Sequence, residues 1–178
     1  MDIARIGEDA VRAEVERLAR LGTLLRLIRE PSSESDAGVR ERLVRLKDWG
    51  TTTVYPLVLH LLDRRARGEI DGASVATSLR YLESFLARRL LVGRATTNLN
   101  RTLLGAAPEI DQAADPAHAL HRYLSSGRKL YASDAEIAVA LMSVPFYLNG
   151  RAPQRKLVLQ RLEESYASKE QVDASHRG

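Results

Sequence analysis

Apolar residues recur every three or four positions along almost the whole chain, with breaks where Gly, Pro and clusters of Ser, Thr and Asp fall. That period belongs to helices, since a strand alternates every second residue. A first segment, 8–29, places Val11, Val15, Leu18 and Leu25 near one face, and its second half widens to Leu24, Leu27 and Ile28. Its C-terminal end should therefore be buried. Pro31 and Ser32-Ser33-Glu34-Ser35 stop it, and a second helix, 37–47, follows on Val39, Leu43 and Leu46 before Trp49 and Gly50. The β-branched run Thr51-Thr52-Thr53-Val54 could be a strand, but Val54, Leu57, Val58, Leu61 and Leu62 keep helical spacing. The pattern predicts a helix capped by a Thr, with Pro56 in its first turn and Gly68 at its end.

The best-defined stripe is that of 72–92, where Val75, Leu79, Leu82, Leu86 and Leu90 share one narrow sector. Arg88 points away from that stripe and Arg89 borders it. After Gly93 a further helix should start at Thr96 or Thr97 and run to Gly105. Asp115-Pro116 reads as an N-cap and first-turn pair for a helix ending at Gly127, and Ser133 with Glu136 reads as a capping box for another. Pro145 and Asn149-Gly150-Arg151 interrupt the chain before a last helix, 153–166, with Val158, Leu159 and Leu162 inward. The sum is an all-α, irregular bundle of about eight helices, with residues 1–172 as one domain and 173–178 as a disordered tail.

Composition narrows the chemistry. An apolar fraction of 44% over 178 residues can fill a core, and no run approaches the roughly 18 uncharged residues that span a bilayer. The expectation is a cytoplasmic chain with no membrane partner. Without a single cysteine there is no thiolate nucleophile and no Cys-based metal centre. The glycine-led sequence Gly93-Arg94-Ala95-Thr96 lacks the spacing that cradles phosphates. His118 and His121 stand three apart, a spacing that can present two imidazoles to a metal, but a third ligand is missing and Asp115 is better used as a cap. No metal and no cofactor are therefore expected, and His60 reads as a packing residue of an apolar helix.

Charge gives the most unusual feature. Lys and Arg number 27 against 23 Asp and Glu, a net +4. Between Glu83 and Glu109 there is no acid at all, while Arg88, Arg89, Arg94 and Arg101 all fall inside, with Asn98 and Asn100 beside them. Read functionally, a helix end, a glycine turn and a new helix N-terminus can hold a phosphate or a nucleic-acid backbone, with Arg88, Arg94, Asn98 and Arg101 as the contacts to double-stranded DNA. Read structurally, the arginines serve a helix C-terminus, and Arg89 holds the fold by pairing with an acid from another helix. Only 5% of residues are aromatic, too few for single-strand binding by stacking.

The same residues carry a resemblance. Tyr81-Leu82-Glu83-Ser84-Phe85-Leu86-Ala87-Arg88-Arg89, then Gly93 and Thr97-Asn98-Leu99-Asn100, resemble the central helical part of GmrSD-type (SspE-like) modification-dependent restriction endonucleases. Upstream, Leu43-Val44-Arg45-Leu46 through Tyr55-Pro56-Leu57-Val58-Leu59 is similar to that family's helix pair ending in a proline-led apolar helix. Downstream, Tyr147 with Arg155 through Glu163 is similar to the helix leading into its nuclease domain. The resemblance spans residues 10 to 172 and implies a piece of a phage-defence enzyme that joins a nucleotide-hydrolysing domain, helical segments and an HNH-type nuclease.

Neither catalytic motif of that family stands in the chain. The nucleotide site's glycine-glutamine-glutamine-arginine is absent, since no two glutamines are adjacent, and the nuclease's glutamate-histidine-proline would begin about where Ser175-His176-Arg177-Gly178 closes the sequence. The resemblance therefore implies a non-catalytic connector whose partners are the remaining domains of the parent protein and DNA. A stand-alone structural or protein-interaction scaffold is the other reading, and an independent enzyme is the third.

Overall fold

The structure, a computed structural model, describes residues 7–95, 97–127 and 131–175, with side chains as far as residue 166. In order it contains α1 (Glu8–Arg29), a 3-10 turn (Pro31–Ser33), α2 (Ala37–Trp49), α3 (Tyr55–Ala66), α4 (Gly72–Leu91), α5 (Leu99–Leu104), α6 (Ala107–Asp111), α7 (Pro116–Ser125), α8 (Asp134–Leu141), α9 (Phe146–Asn149) and α10 (Ala152–Ser175). Among the described residues there is no strand, and the architecture is the all-α irregular bundle that the periodicity predicts.

Helix α4 is the axis. Val75, Leu79, Leu82, Phe85 and Leu86 on it are buried, and α2, α3, α7, α8 and α9 all pack against it. Helix α1 lies on α3, α6 on α7, and α10 closes over α2. Two start signals are where the sequence places them: Asp115 accepts from the His118 N–H, and Ser133 with Glu136 forms a complete capping box. Asp36 and Asp71 cap α2 and α4 in the same way, accepting from the backbone N–H groups of Val39 and Ser74.

Four expectations are corrected. Helix α3 has no threonine cap: it begins at Tyr55, whose N–H bonds the Thr52 carbonyl, so a backbone turn does the capping and Thr51 Oγ1 serves Thr53 instead. Helix α5 begins only at Leu99, because Asn98 takes a left-handed φ of 64° that no right-handed helix continues through; Thr96 lies outside the described residues. The inward face of α10 is Gln154 and Leu157 with partly buried Val158, whereas Leu159 and Leu162 are half exposed. Helix α10 also continues to Ser175, past the expected start of the tail at 173, while 176–178 lie outside the described residues.

The stripe of α1 is the largest departure. Leu24 and Ile28 are buried as its widening predicts, but Val11, Val15 and Leu18 stand more than half exposed. Every residue from Glu8 to Ala19 is exposed. The period correctly marks a helix, yet no described residue covers its first turns.

Two buried carboxylates tie the helices together. Glu34 accepts both arms of Arg65, at 3.2 Å each, which clamps the entrance of α2 to the end of α3. Glu83, on the inward side of α4, meets Arg42 of α2 at 3.2 Å, Arg161 of α10 at 3.4 Å and Arg45 of α2 at 3.6 Å. Arg45 is further shared with Glu41 at 2.6 Å and Glu164 at 3.3 Å. With its side chain only 10% exposed, Glu83 sits where loss of one partner strands the others. Glu83→Ala should cost about 3–5 kcal/mol and lower the melting temperature by roughly 10 °C, read by calorimetry. A shift under 2 °C would show that the arginines find other acceptors.

Candidate functional site

The end of α4 decides where the acid-free arginines go. Gly93, at a φ of 67°, lets Arg94 N–H reach the Arg89 carbonyl at 2.9 Å and its own N–H reach Leu90 at 3.0 Å, a reversal that turns the chain back over the helix end. A side chain at Gly93 would also press on Val144. Arg88, Arg89 and Arg94 thereby gather at one corner, though they face different neighbours.

Arg88 does leave the apolar stripe, but it meets protein before water. Its Nη1 donates to the Ala132 carbonyl at 2.7 Å, its Nη2 pairs with Asp134 at 2.6 Å, its Nε donates to Ser84, and its plane lies over Tyr131 at 5.2 Å. Arg94 pairs with Glu136 at 2.7 Å. The hydrogen bonds from the Ser133 backbone and hydroxyl, with Arg94 adding its charge, hold the Glu136 carboxyl below its usual range. The acid-free stretch of sequence is thus answered in space by the acids of the first turn of α8, and Arg88 and Arg94 lock α8 onto α4.

Arg101 and Asn98 stay at the surface. Arg101 is exposed on α5 and makes no described ion pair. Asn98 is exposed too, and its residue type has a backbone reason, because Asn tolerates the left-handed conformation better than any other non-glycine residue type except Asp. These two, with exposed Asn100, are the part of the predicted nucleic-acid set that faces solvent.

Arg89 borders the core as predicted. It donates to the Ala95 carbonyl and lies over the Phe85 ring at 5.4 Å. Burial, and then the charge of Arg94, push its pKa down. Beside it opens a cleft of about 650 Å³, lined by Trp49, Thr51 and Thr53 before α3, by Arg89, Arg94 and Ala95 at the end of α4, and by Asn149, Arg151 and Gln154 around the start of α10. Arg151 belongs to the Asn149-Gly150-Arg151 break before α10, and no linear spacing links it to Arg89. Only the packing of α10 on α2 brings them together.

The remaining titratable candidates resolve into packing. His121 is sandwiched between Tyr81 at 4.5 Å and Tyr131 at 4.9 Å, while His118 is exposed. His60 meets Asp111 at 2.9 Å. Among the described residues no three His, Cys, Asp or Glu side chains cluster as a metal site would require. No family model, no curated relative and no solved structure matches this chain.

Burial, then the charges of His118 and Arg88, lower the His121 pKa from the ordinary 6.5. The folded state therefore refuses a proton that the unfolded chain takes up, so stability is complete above about pH 7 and falls as the pH drops through 6.5 toward the depressed value. In urea titrations between about pH 5 and pH 7, His121→Gln should lower stability throughout while flattening this pH dependence. An identical slope in parent and variant would exclude His121 as its source.

Proposed function

We propose that this chain is the non-catalytic helical connector of a modification-dependent, phage-defence restriction endonuclease of the GmrSD type. The observation that carries the reading is the meeting at Glu83. The three stretches that resemble that family are separate in sequence. They supply Arg45 from the upstream pair, Glu83 from the central helix and Arg161 from the downstream helix, and these form one ion-pair cluster. A connector has to hold such segments in fixed register, and buried charge networks favour one arrangement over near alternatives.

A further feature supports it. Large apolar side chains remain exposed, Val139, Met142 and Leu148 by more than 70% each, together with the first turns of α1. Surfaces of that kind suit a module that works against other protein elements. The stand-alone interaction scaffold draws on this same exposure and is the second reading. Contact with a DNA backbone, within the connector reading, goes through Arg101 and Asn98, since Arg88 and Arg94 are engaged by α8.

Two measurements test the proposal. Incubated with GTP or ATP, and with supercoiled plasmid plus Mg²⁺ or Mn²⁺, the chain should neither hydrolyse nucleotide nor nick DNA. Turnover that follows the protein through a second purification column would overturn the reading. Duplex retention at low salt should be weak, with a log–log salt slope near −1 for about one contacted phosphate, and Arg101→Gln should abolish it.

A further inference from the structure

We propose that the cleft between the end of α4 and the start of α10 binds the phosphate group of a small ligand, held by the guanidinium groups of Arg89 and Arg151. Among the described residues that line it there is no carboxylate. Its other polar lining consists of the Thr51 and Thr53 hydroxyls and the Asn149 and Gln154 amides, groups that can donate to an oxyanion. Arg151 donates to the Gly50 carbonyl at 3.2 Å and makes no described ion pair, so its charge meets a neutral acceptor. Planar guanidinium forks match phosphate oxygens, and a dianion rewards several of them at once.

Gln154 supplies an independent sign. It is nine-tenths buried, and its Oε1 accepts the Arg151 N–H at 3.1 Å, which fixes the carbonyl end of the amide. The NH₂ end is then the free donor, and no described residue accepts from it. Arg151 and Gln154 also open α10, a helix of 24 residues, so the positive end of its dipole lies at the same wall. The volume of about 650 Å³ is that of a small-molecule pocket. A duplex presents its phosphates on a convex surface and does not fit a recess of this kind.

Trp49, the chain's single tryptophan, lines the cleft and reports on it directly. At fixed ionic strength, inorganic phosphate and pyrophosphate should change its fluorescence saturably and raise the melting temperature. Arg151→Gln should weaken both effects about tenfold, while Arg122→Gln, exposed on α7, should leave them unchanged. A change that does not saturate, or that chloride reproduces, overturns the proposal on the parent protein alone. An unaltered affinity in folded Arg151→Gln does the same, and so does a short duplex that displaces phosphate at equal phosphate concentration.

Discussion

One carboxylate, Glu83, constrains more of this molecule than any apolar contact does. It lies on the inward side of the central helix, where an isolated charge would be prohibitively costly, and so it must be surrounded by cations from whatever packs there. Arg42 and Arg45 arrive from α2 and Arg161 from α10. The cluster fixes the register of α2 and α10 against α4 in addition to their apolar packing. The Glu34–Arg65 clamp repeats the device at the other end of α2, so that α2 is fixed at both ends by charge and along its length by Val39, Leu43 and Leu46.

How much of this was legible in the sequence depends on which interactions are local. Helix bounds such as 72–92 and 37–47 and the caps Asp115 and Ser133 are readable because period and capping act within a few residues. Helices α6 and α9 have five and four residues, too short for a 3.6-residue period to show. The α1 stripe misleads because period reports helix type, while burial depends on what lies opposite, and Val11, Val15 and Leu18 face no described residue. The α10 face departs from the apolar pattern because polar Gln154 takes one of its inward positions beside Leu157, and an apolar count ignores it.

The arginines show the same division. That 84–108 lacks acids is plain in the sequence, but a charge balance along the chain is not a charge balance in space. Asp134 and Glu136, in the first turn of α8, serve its dipole and the guanidiniums of Arg88 and Arg94 together. Arg151 travels the other way, from the break before α10 into the cleft beside Arg89. Only the pairing of α10 with α2 could have revealed it.

The bare first turns of α1 set a gradient of local stability along a single helix. From Glu8 to Ala19 the backbone is held by intrahelical hydrogen bonds and by side-chain pairs such as Arg17 with Glu14 at 2.6 Å, all in contact with water. Such a stretch is too short to be stable on its own. From Arg20, which pairs with Asp63 at 2.7 Å, through Leu24 and Ile28, the same helix is anchored in the core. Its amide hydrogens therefore exchange by two routes: the early ones by fraying from the N-terminal end, and those around Ile28 by opening of the α1–α3 packing.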